Sequence, residues 1–239
     1  RVDIDPRKFN DFYPCAVALK GDARQTLEAL LARLPQQVRD PALAVQAVAA
    51  LRAAVEDGQG PLQRIHQAIL ARIAAVLPDN AFISTDMTQL AYSGNYLFPS
   101  RAPRSWLHPT GYGTLGYGLP AGIGAKLGAP ERPGLVLVGD GGFLYTVQEL
   151  ATAVEELDSP LVVLLWNNDA LGQIRDDMLD LDIEPIGVLP RNPDFAALAS
   201  AFGCRVLQPQ SLDQLQEQLA AGFSHPGVTL IELKHAYAQ

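Results

Sequence analysis

Short apolar runs alternate along the chain from residue 81 with stretches whose apolar residues recur every three or four positions. Two of the runs, 135–138 and 161–166, contain no polar residue and are separated by a stretch with helical spacing at 146–157. Uninterrupted apolar strands joined by helices are typical of a parallel sheet covered on both faces. The pattern therefore predicts an α/β fold: a three-layer, doubly wound, mainly parallel sheet with helices on both faces. Further strands are predicted at 81–85, 104–107, 205–207 and 228–233, and further helices at 61–77, 111–128, 194–202 and 212–221.

The first 60 residues have a different organisation. The pattern predicts a strand over the first five residues, a second at 16–19, a helix from near Asp22 and an alanine-rich helix at 41–55, and DGQGP at 57–61 is typical of a linker. Because the first strand has no preceding element to pair with, we expect the chain to be a piece of something longer. The predicted parts are an α/β remnant at 1–36, a helical linker at 37–60 and a larger domain at 61–239.

Composition excludes several classes of partner. Acidic residues outnumber basic ones by 26 to 18, the formal net charge is -8, and no basic run stands out, so we do not expect nucleic acid to bind. No apolar run approaches the roughly 20 residues of a membrane-spanning helix, so no membrane partner is expected. The two cysteines, Cys15 and Cys204, lie far apart without metal-ligand spacing, which favours a cytoplasmic location.

An acidic glycine sequence follows the first of the two apolar runs, and an asparagine pair follows the second. In a right-handed βαβ unit, Asp140 and Asn168 lie at the same edge of the sheet, where open α/β folds bind ligands. Gly141 and Gly142 allow close approach of a backbone. Thr146 begins a TVQE capping-box pattern, which predicts a helix start that favours an anion. These oxygen ligands suit Mg²⁺ or Ca²⁺ shared with phosphate.

Each part of this pattern has a simpler interpretation. Asp-Gly-Gly alone is typical of a turn, and Asn-Asn at a strand end is typical of a turn or a helix cap. The joint pattern, with a strand before each element and a helix between them, favours the site.

The same residues resemble the signature of a known family. GDG at 139–141 followed by NN at 167–168 is similar to the motif of thiamine diphosphate-dependent enzymes. The segment GYGTLGYGLPAGIGAKLG at 111–128 resembles one in acetolactate synthases and related 2-oxo acid decarboxylases, and NNDALG at 167–172 resembles their NNxxxG. The stretch from VDIDP to GDARQTLEALLARL resembles the end of their middle domain, which implies that 1–36 is the tail of that domain and 61–239 the domain that binds the cofactor diphosphate.

The resemblance implies a cofactor, thiamine diphosphate, and a metal ion, Mg²⁺. The implied metal ligands are Asp140, the side chain of Asn168 and the backbone carbonyl of Ala170, with Asn168 also counted among the cofactor contacts. The implied diphosphate contacts are Gly139, Gly141 and Gly142. Gly113 is the implied backbone acceptor for the aminopyrimidine, and Leu115 the apolar wedge that bends the cofactor, although most synthases of this group have Met there.

The implied reaction is decarboxylation of a 2-oxo acid, with release of an aldehyde or addition to a second carbonyl compound. In this family the glutamate that activates the cofactor comes from a separate domain of a neighbouring subunit, and nothing in this chain resembles that domain. The resemblance therefore implies no activating catalytic residue in this chain, and a homodimer or homotetramer of the full-length enzyme. The sequence leaves open which 2-oxo acid is used, which of the two outcomes follows, and whether FAD is bound.

Substrate contacts are expected in GQIRDDMLDLDIEP, where the family places substrate-facing residues and a mobile segment. The chain lacks the Gln-Trp pair usual in acetolactate synthases there and has an acidic cluster instead. One interpretation is a solvated face; the other is that Asp176 or Asp177 binds a cationic group such as a guanidinium, as in a 5-guanidino-2-oxopentanoate decarboxylase. The cluster consists of Asp176, Asp177, Asp180 and Asp182.

Two further residues, His108 and Asp86, have open interpretations. His108 either faces the substrate, where it could relay a proton, or is a loop residue before Pro109. Asp86 is expected to cap the helix that follows it, and a contact with the cofactor or the subunit interface stays open. His66 and His225 are expected at the surface, and His235 is assigned no role.

Two rivals remain to the leading hypothesis of a thiamine diphosphate-dependent decarboxylase or carboligase. One is a non-catalytic module that holds a Mg²⁺-diphosphate ligand, and the other is an acetolactate synthase proper. A dinucleotide-binding protein is weaker, because residues 139–142 lack the GxGxxG spacing.

Overall fold

The computed structural model describes residues 1–10, 13–34 and 41–238, and these form two compact units, Arg1–Gly58 and Gln59–Gln239. The division lies in the sequence predicted to be a linker. The predicted boundary between 36 and 37 lies outside the described residues, and the predicted division into parts stays a prediction.

The described residues of the first unit form a two-stranded parallel sheet, two α-helices and a short 3-10 helix at Pro6–Lys8. Its elements are β1 (Val2–Asp3), β2 (Leu19–Lys20), α1 (Ala23–Leu31) and α2 (Pro41–Asp57). The predicted start of α1 is confirmed, because the Asp22 side chain accepts a hydrogen bond from the Gln25 backbone N–H and caps the helix. The first predicted strand corresponds to β1, which pairs with the strand that follows it, β2, and β2 begins three residues later than predicted.

The second unit contains the remaining elements. In chain order these are α3 (Pro61–Val76), β3 (Phe82–Thr85), α4 (Gln89–Leu97), β4 (Trp106–Leu107), α5 (Gly118–Gly128), β5 (Gly134–Gly139), α6 (Asp140–Thr146), α7 (Glu149–Glu156), β6 (Leu161–Asn167), α8 (Gly172–Asp180), α9 (Phe195–Ala201), β7 (Arg205–Leu207), α10 (Leu212–Phe223) and β8 (Val228–Lys234).

Six of these strands form one sheet in the order β4-β3-β5-β6-β8-β7, with every neighbouring pair parallel. Alternate side chains of the central strands enter two different cores. Val136 and Val138 pack into the core that α5, α7 and α9 cover, whereas Leu135 and Leu137 pack into the core that α3, α4 and α10 cover. The sheet is therefore buried on both faces, and the predicted three-layer α/β class is confirmed.

Two predicted helix boundaries differ from the structure. The helix predicted at 111–128 begins only at Gly118, because Gly113 and Gly116 have positive φ values of 66° and 82°, which end regular helix geometry. The helix predicted at 146–157 corresponds to α7, which begins only at Glu149. Thr146 is instead the last residue of α6, so the predicted capping box is wrong. The segment that the resemblance implies to be mobile contains α8, and its mobility stays a prediction.

His66 is buried, contrary to its predicted surface position. Its side chain lies beneath α4, where Nδ1 is 2.8 Å from Ser93 Oγ, and its ring meets Trp166 edge-on. Burial lowers the pKa of His66 to about 4, and the charge of His235 acts in the same direction. The buried face of α3 thus includes His66 as well as its aliphatic residues. His235 also meets the Trp166 ring edge-on, and His225 is half-buried.

A search of the described residues finds no helix with the length and apolar character needed to cross a membrane.

We expect Gly122→Ala to destabilise the second unit, because α5 lies directly on the sheet at this point. A Cβ at Gly122 would lie 2.4 Å from Val136 Cγ2, so the free energy of unfolding should fall by about 1–3 kcal/mol. Gly124→Ala on the same helix is the matched control. A Cβ at Gly124 has no atom within 4 Å, so the higher helix propensity of Ala should raise that free energy by up to about 1 kcal/mol. Urea denaturation measures both, and equal effects would contradict the close packing of α5.

Candidate functional site

The carboxyl ends of β5 and β6 meet at one edge of the sheet because the two strands pair in parallel, with Gly139 opposite Trp166. A cavity of about 340 Å³ opens at this edge. The structure brings nine of the residues singled out in the sequence to its wall: Gly113, Leu115, Gly139, Asp140, Gly141, Gly142, Asn168, Ala170 and Asp177. The wall does not include His108 or Asp176.

Asp140 is buried at the base of this cavity and is the first residue of α6. Its Oδ1 accepts a hydrogen bond from the Gly141 N–H at 2.9 Å, and its Oδ2 accepts from the Ala170 N–H at 3.2 Å and from Asn192 Nδ2 at 2.7 Å. Burial raises the pKa of Asp140, while these hydrogen bonds oppose the rise. The carboxylate is therefore fixed in a desolvated position, where a cation would stabilise its charge.

Asn192 is a member of this site that the sequence analysis missed. It precedes α9, and its Nδ2 lies 3.2 Å from both Asn167 Oδ1 and Asp169 Oδ1 in addition to its contact with Asp140. One amide group thus joins the loops that follow β5 and β6. No motif marks this residue, because it lies 52 positions from Asp140 in the sequence.

The two glycines after Asp140 leave bare backbone at the cavity wall. A Cβ at Gly141 would lie 2.5 Å from Leu171 Cδ2, and one at Gly142 would lie 2.6 Å from Asp86 Oδ1. Only glycine therefore fits at these two positions of the cavity wall.

Asp86 holds the glycine segment 111–118 against the end of β3. Its Oδ1 accepts from the Gly116 N–H at 3.1 Å and the Met87 N–H at 2.9 Å, and its Oδ2 accepts from the Gly118 N–H at 2.8 Å. The predicted role as a helix cap is wrong, because Thr88 occupies the N-cap position of α4. Asp86 instead fixes the segment that carries Gly113 and Leu115 to the cavity.

His108 lies behind the cavity wall in a chain of hydrogen bonds. The Trp106 Nε1–H can only donate, so Asn95 turns its acceptor Oδ1 toward Trp106, at 2.9 Å. The Asn95 Nδ2 then faces His108 Nε2, at 3.1 Å. Nε2 therefore accepts, and Nδ1–H donates to Thr85 Oγ1 at 2.6 Å. Burial lowers the pKa of His108, with the Asp86 charge opposing. His108 is thus a neutral ring with both nitrogens engaged.

The acidic cluster has two adjacent members in different surroundings. The Asp177 side chain lines the cavity and accepts from Gln173 Nε2 at 2.8 Å. Asp176 pairs with Arg175 at 2.7 Å and also accepts from Gln89 Nε2 at 2.8 Å. Asp180 and Asp182 are exposed at the end of α8 and beyond it. The cavity wall also includes Gln89 and Tyr92 from α4, which the sequence analysis did not single out.

Comparison with known proteins identifies a family for this site. Residues 86–233 match the family described as thiamine pyrophosphate enzyme, C-terminal TPP binding domain. All 239 residues align with 43% of a probable 2-ketoarginine decarboxylase from Pseudomonas aeruginosa at 79% identity. The large subunit of Escherichia coli acetolactate synthase isozyme 1 is 32% identical over 98% of the chain and 42% of its own length. A pyruvate oxidase from Lactiplantibacillus plantarum is 29% identical over 91% of the chain and 37% of its own length. The chain thus spans about two fifths of the length of these relatives.

We expect Asp86→Asn to loosen the glycine segment. Both carboxylate oxygens accept from backbone N–H groups, so the amide nitrogen that replaces one of them would face a donor and lose that hydrogen bond. The free energy of unfolding should fall by about 1–3 kcal/mol, and hydrogen exchange should accelerate at the Gly116 and Gly118 amides. Asp79→Asn is the charge-matched control, since Asp79 pairs with Arg101 at the surface, where such pairs contribute little. Unchanged exchange at both glycines would contradict this role of Asp86.

Proposed function

Since the chain belongs to the thiamine pyrophosphate enzymes, we propose that it holds thiamine diphosphate through Mg²⁺ in the cavity at the ends of β5 and β6. We further propose that it does so as part of a decarboxylase of a guanidino 2-oxo acid. The observation that carries the proposal is the shared cavity: Asp140, Asn168 and Ala170 line one part of it, Gly113 and Leu115 another, and Asp177 a third.

The residues at the base of the cavity fit Mg²⁺. Within the described part of the chain, no three His, Cys, Asp and Glu side chains form a metal cluster, so a cation here would take its protein ligands from one carboxylate, one amide oxygen and one backbone carbonyl. Mg²⁺ characteristically binds one or two carboxylates and completes its octahedron with phosphate oxygens and water. Asp140, Asn168 and the Ala170 carbonyl supply that kind of set, and the buried Asp140 carboxylate gains a counter-charge.

The remaining wall fits the rest of the cofactor. Gly139, Gly141 and Gly142 leave backbone uncovered where a diphosphate would lie beside the cation. Gly113 and Leu115 are held in place through Asp86, and we propose that the Gly113 carbonyl accepts from the aminopyrimidine while Leu115 supports the bent cofactor. Leu in place of Met keeps this contact apolar and has a shorter side chain.

When bound, thiamine diphosphate supplies a nucleophilic carbon and accepts the electron pair left as CO₂ departs. The residues of this chain hold and orient that group, and apolar wall residues such as Leu115, Leu171 and Ile174 limit water around it. We propose that the activating glutamate lies outside this chain. The chain alone would then bind the cofactor without turning over substrate.

Asp177 supports a guanidino substrate. Its carboxylate lies at the cavity wall beside neutral Gln173, whereas the Asp176 carboxylate is already paired with Arg175. Carboxylates bind guanidinium groups through two parallel hydrogen bonds. The 79% identity to a probable 2-ketoarginine decarboxylase, whose named substrate carries a guanidino group, favours the same assignment.

We also propose a cytoplasmic homodimer or homotetramer for the intact protein. The support for the location is that Cys15 and Cys204 are both free thiols. The support for the assembly is the resemblance, in which a neighbouring subunit provides the activating glutamate.

Cofactor binding should require both the cation and Asp140. Calorimetry of the intact apoprotein should show thiamine diphosphate binding with Mg²⁺ that weakens at least about 100-fold in EDTA, because the diphosphate loses its bridge to the buried carboxylate. Asp140→Ala should lose as much with Mg²⁺ present. Asp158→Ala removes an exposed carboxylate and should bind as the wild type does. Equal affinity with and without Mg²⁺ would contradict the proposed site.

Replacing the cavity-facing aspartate should change substrate preference. Asp177→Asn in the intact holoenzyme should lower kcat/KM for 2-ketoarginine by about 10- to 100-fold, because the guanidinium loses a charged partner, and should change kcat/KM for pyruvate by less than about twofold. Asp180→Asn removes the same charge from the exposed end of α8 and should leave both values unchanged.

Equal losses on the two substrates would remove the guanidinium assignment. Turnover of pyruvate to acetolactate in preference to 2-ketoarginine would favour an acetolactate synthase, and cofactor binding without turnover of either substrate would favour a non-catalytic module.

A further inference from the structure

A row of polar side chains extends from α8 through α4 to the asparagine proposed as a metal ligand. Arg175 Nε and Nη2 donate to Asp176 Oδ1 at 2.9 and 2.7 Å. Asp176 Oδ2 accepts from Gln89 Nε2 at 2.8 Å. Gln89 Oε1 in turn accepts from Asn168 Nδ2 at 3.4 Å. Four side chains from two helices and a loop are thus linked in series.

The Asp176 carboxylate fixes the direction of every hydrogen bond in the row. A carboxylate only accepts, so Gln89 must turn its Nε2 toward Asp176 and its Oε1 to the other side. An amide oxygen also only accepts, so Asn168 must turn its Nδ2 toward Gln89. The Oδ1 of Asn168 is then the amide atom left for a ligand in the cavity.

Arg175 determines which Asp176 oxygen takes part. Both of its hydrogen bonds go to Oδ1, which leaves Oδ2 for Gln89, and the ion pair offsets the charge of the carboxylate. Asp176 therefore supplies an acceptor to the row without adding a free negative charge beside the cavity.

Gly172 leaves the space that the row needs. A Cβ at this position would lie 2.6 Å from Asn168 Nδ2 and 2.7 Å from Gln89 Oε1. Any larger residue at the start of α8 would force these two amides apart. The contact between Gln89 and Asn168 thus depends on the absence of a side chain at Gly172.

We propose that Asp176 is a positioning residue which, through Gln89, orients the Asn168 amide so that its oxygen rather than its nitrogen faces the bound cation. The inference rests on the proposed function and gives Asp176 a role different from that of Asp177. Partners that orient a metal ligand commonly change metal affinity by about 10- to 100-fold when they are removed.

Asp176→Asn should reverse the direction of the hydrogen bonds in the row, because Asn has nearly the same shape as Asp but carries an amide nitrogen that donates. Arg175 still donates to the remaining oxygen of residue 176, so the new amide nitrogen faces Gln89. Gln89 must then turn its Oε1 toward residue 176. Gln89 Nε2 then faces Asn168, whose oxygen turns toward Gln89 and whose nitrogen turns toward the cation. Adding Gln89→Glu restores the direction, because the carboxylate introduced at position 89 accepts both from the amide introduced at position 176 and from Asn168.

Mn²⁺ binding to the intact protein, measured by electron paramagnetic resonance at saturating thiamine diphosphate, tests the inference directly. Asp176→Asn should raise the dissociation constant for Mn²⁺ by about tenfold or more. The double variant D176N/Q89E should return it to within about threefold of the wild-type value. Asp180→Asn, which removes one charge from the same helix, should leave it unchanged.

Gln89→Met provides a second route, since it removes the central member of the row while filling a similar volume. It should weaken Mn²⁺ binding as Asp176→Asn does. Wild-type affinity in either single variant would overturn the inference, as would a double variant no better than D176N. A wild-type protein that binds no Mn²⁺ with thiamine diphosphate would overturn the proposed function, and the inference with it.

Discussion

The candidate site depends on the in-register parallel pairing of three buried strands. β3, β5 and β6 lie side by side and end at the same edge of the sheet, at Thr85, Gly139 and Asn167. The residue after each end is polar, because the chain leaves the apolar core at that level. Asp86, Asp140 and Asn168 are therefore brought together by main-chain pairing alone, before any side chain contacts another. A slip of one residue in either pairing would move the residue after that strand by about 3.3 Å relative to its neighbours at the edge.

Close packing of the glycine segment completes the other wall of the cavity. Asp86 accepts hydrogen bonds from two of its backbone N–H groups, and α5 follows with Gly122 directly against Val136. Because position 122 has no side chain, α5 approaches the sheet closely at this point, and the segment before it is held at the sheet edge. Gly113 and Leu115 thus lie on a loop whose position is set by a buried carboxylate and by a helix that cannot move inward.

Local sequence pattern predicted the sheet class and the position of Asp140 and Asn168, because apolar runs and the residues that end them are adjacent in the chain. It failed where the deciding contact joins distant positions. Asn192 reaches Asp140 across 52 residues, and Gln89 reaches Asp176 across 87. His66 was predicted at the surface because it lies off the aliphatic stripe of its helix, but contacts with Ser93 and Trp166 bury it. Whether Asp176 or Asp177 faces the cavity depends on the rotation of α8, which a run of acidic residues does not encode.

Neighbouring positions on α8 diverge because consecutive helical residues point about 100° apart. Asp176 contacts the protein scaffold, and Asp177 contacts the cavity. A substitution at residue 177 changes the cavity wall, whereas a substitution at residue 176 changes the hydrogen bond to Gln89 on α4. Two consecutive acidic residues on α8 therefore differ in how far the effect of a substitution extends: one acts at the cavity, and the other acts through a second helix.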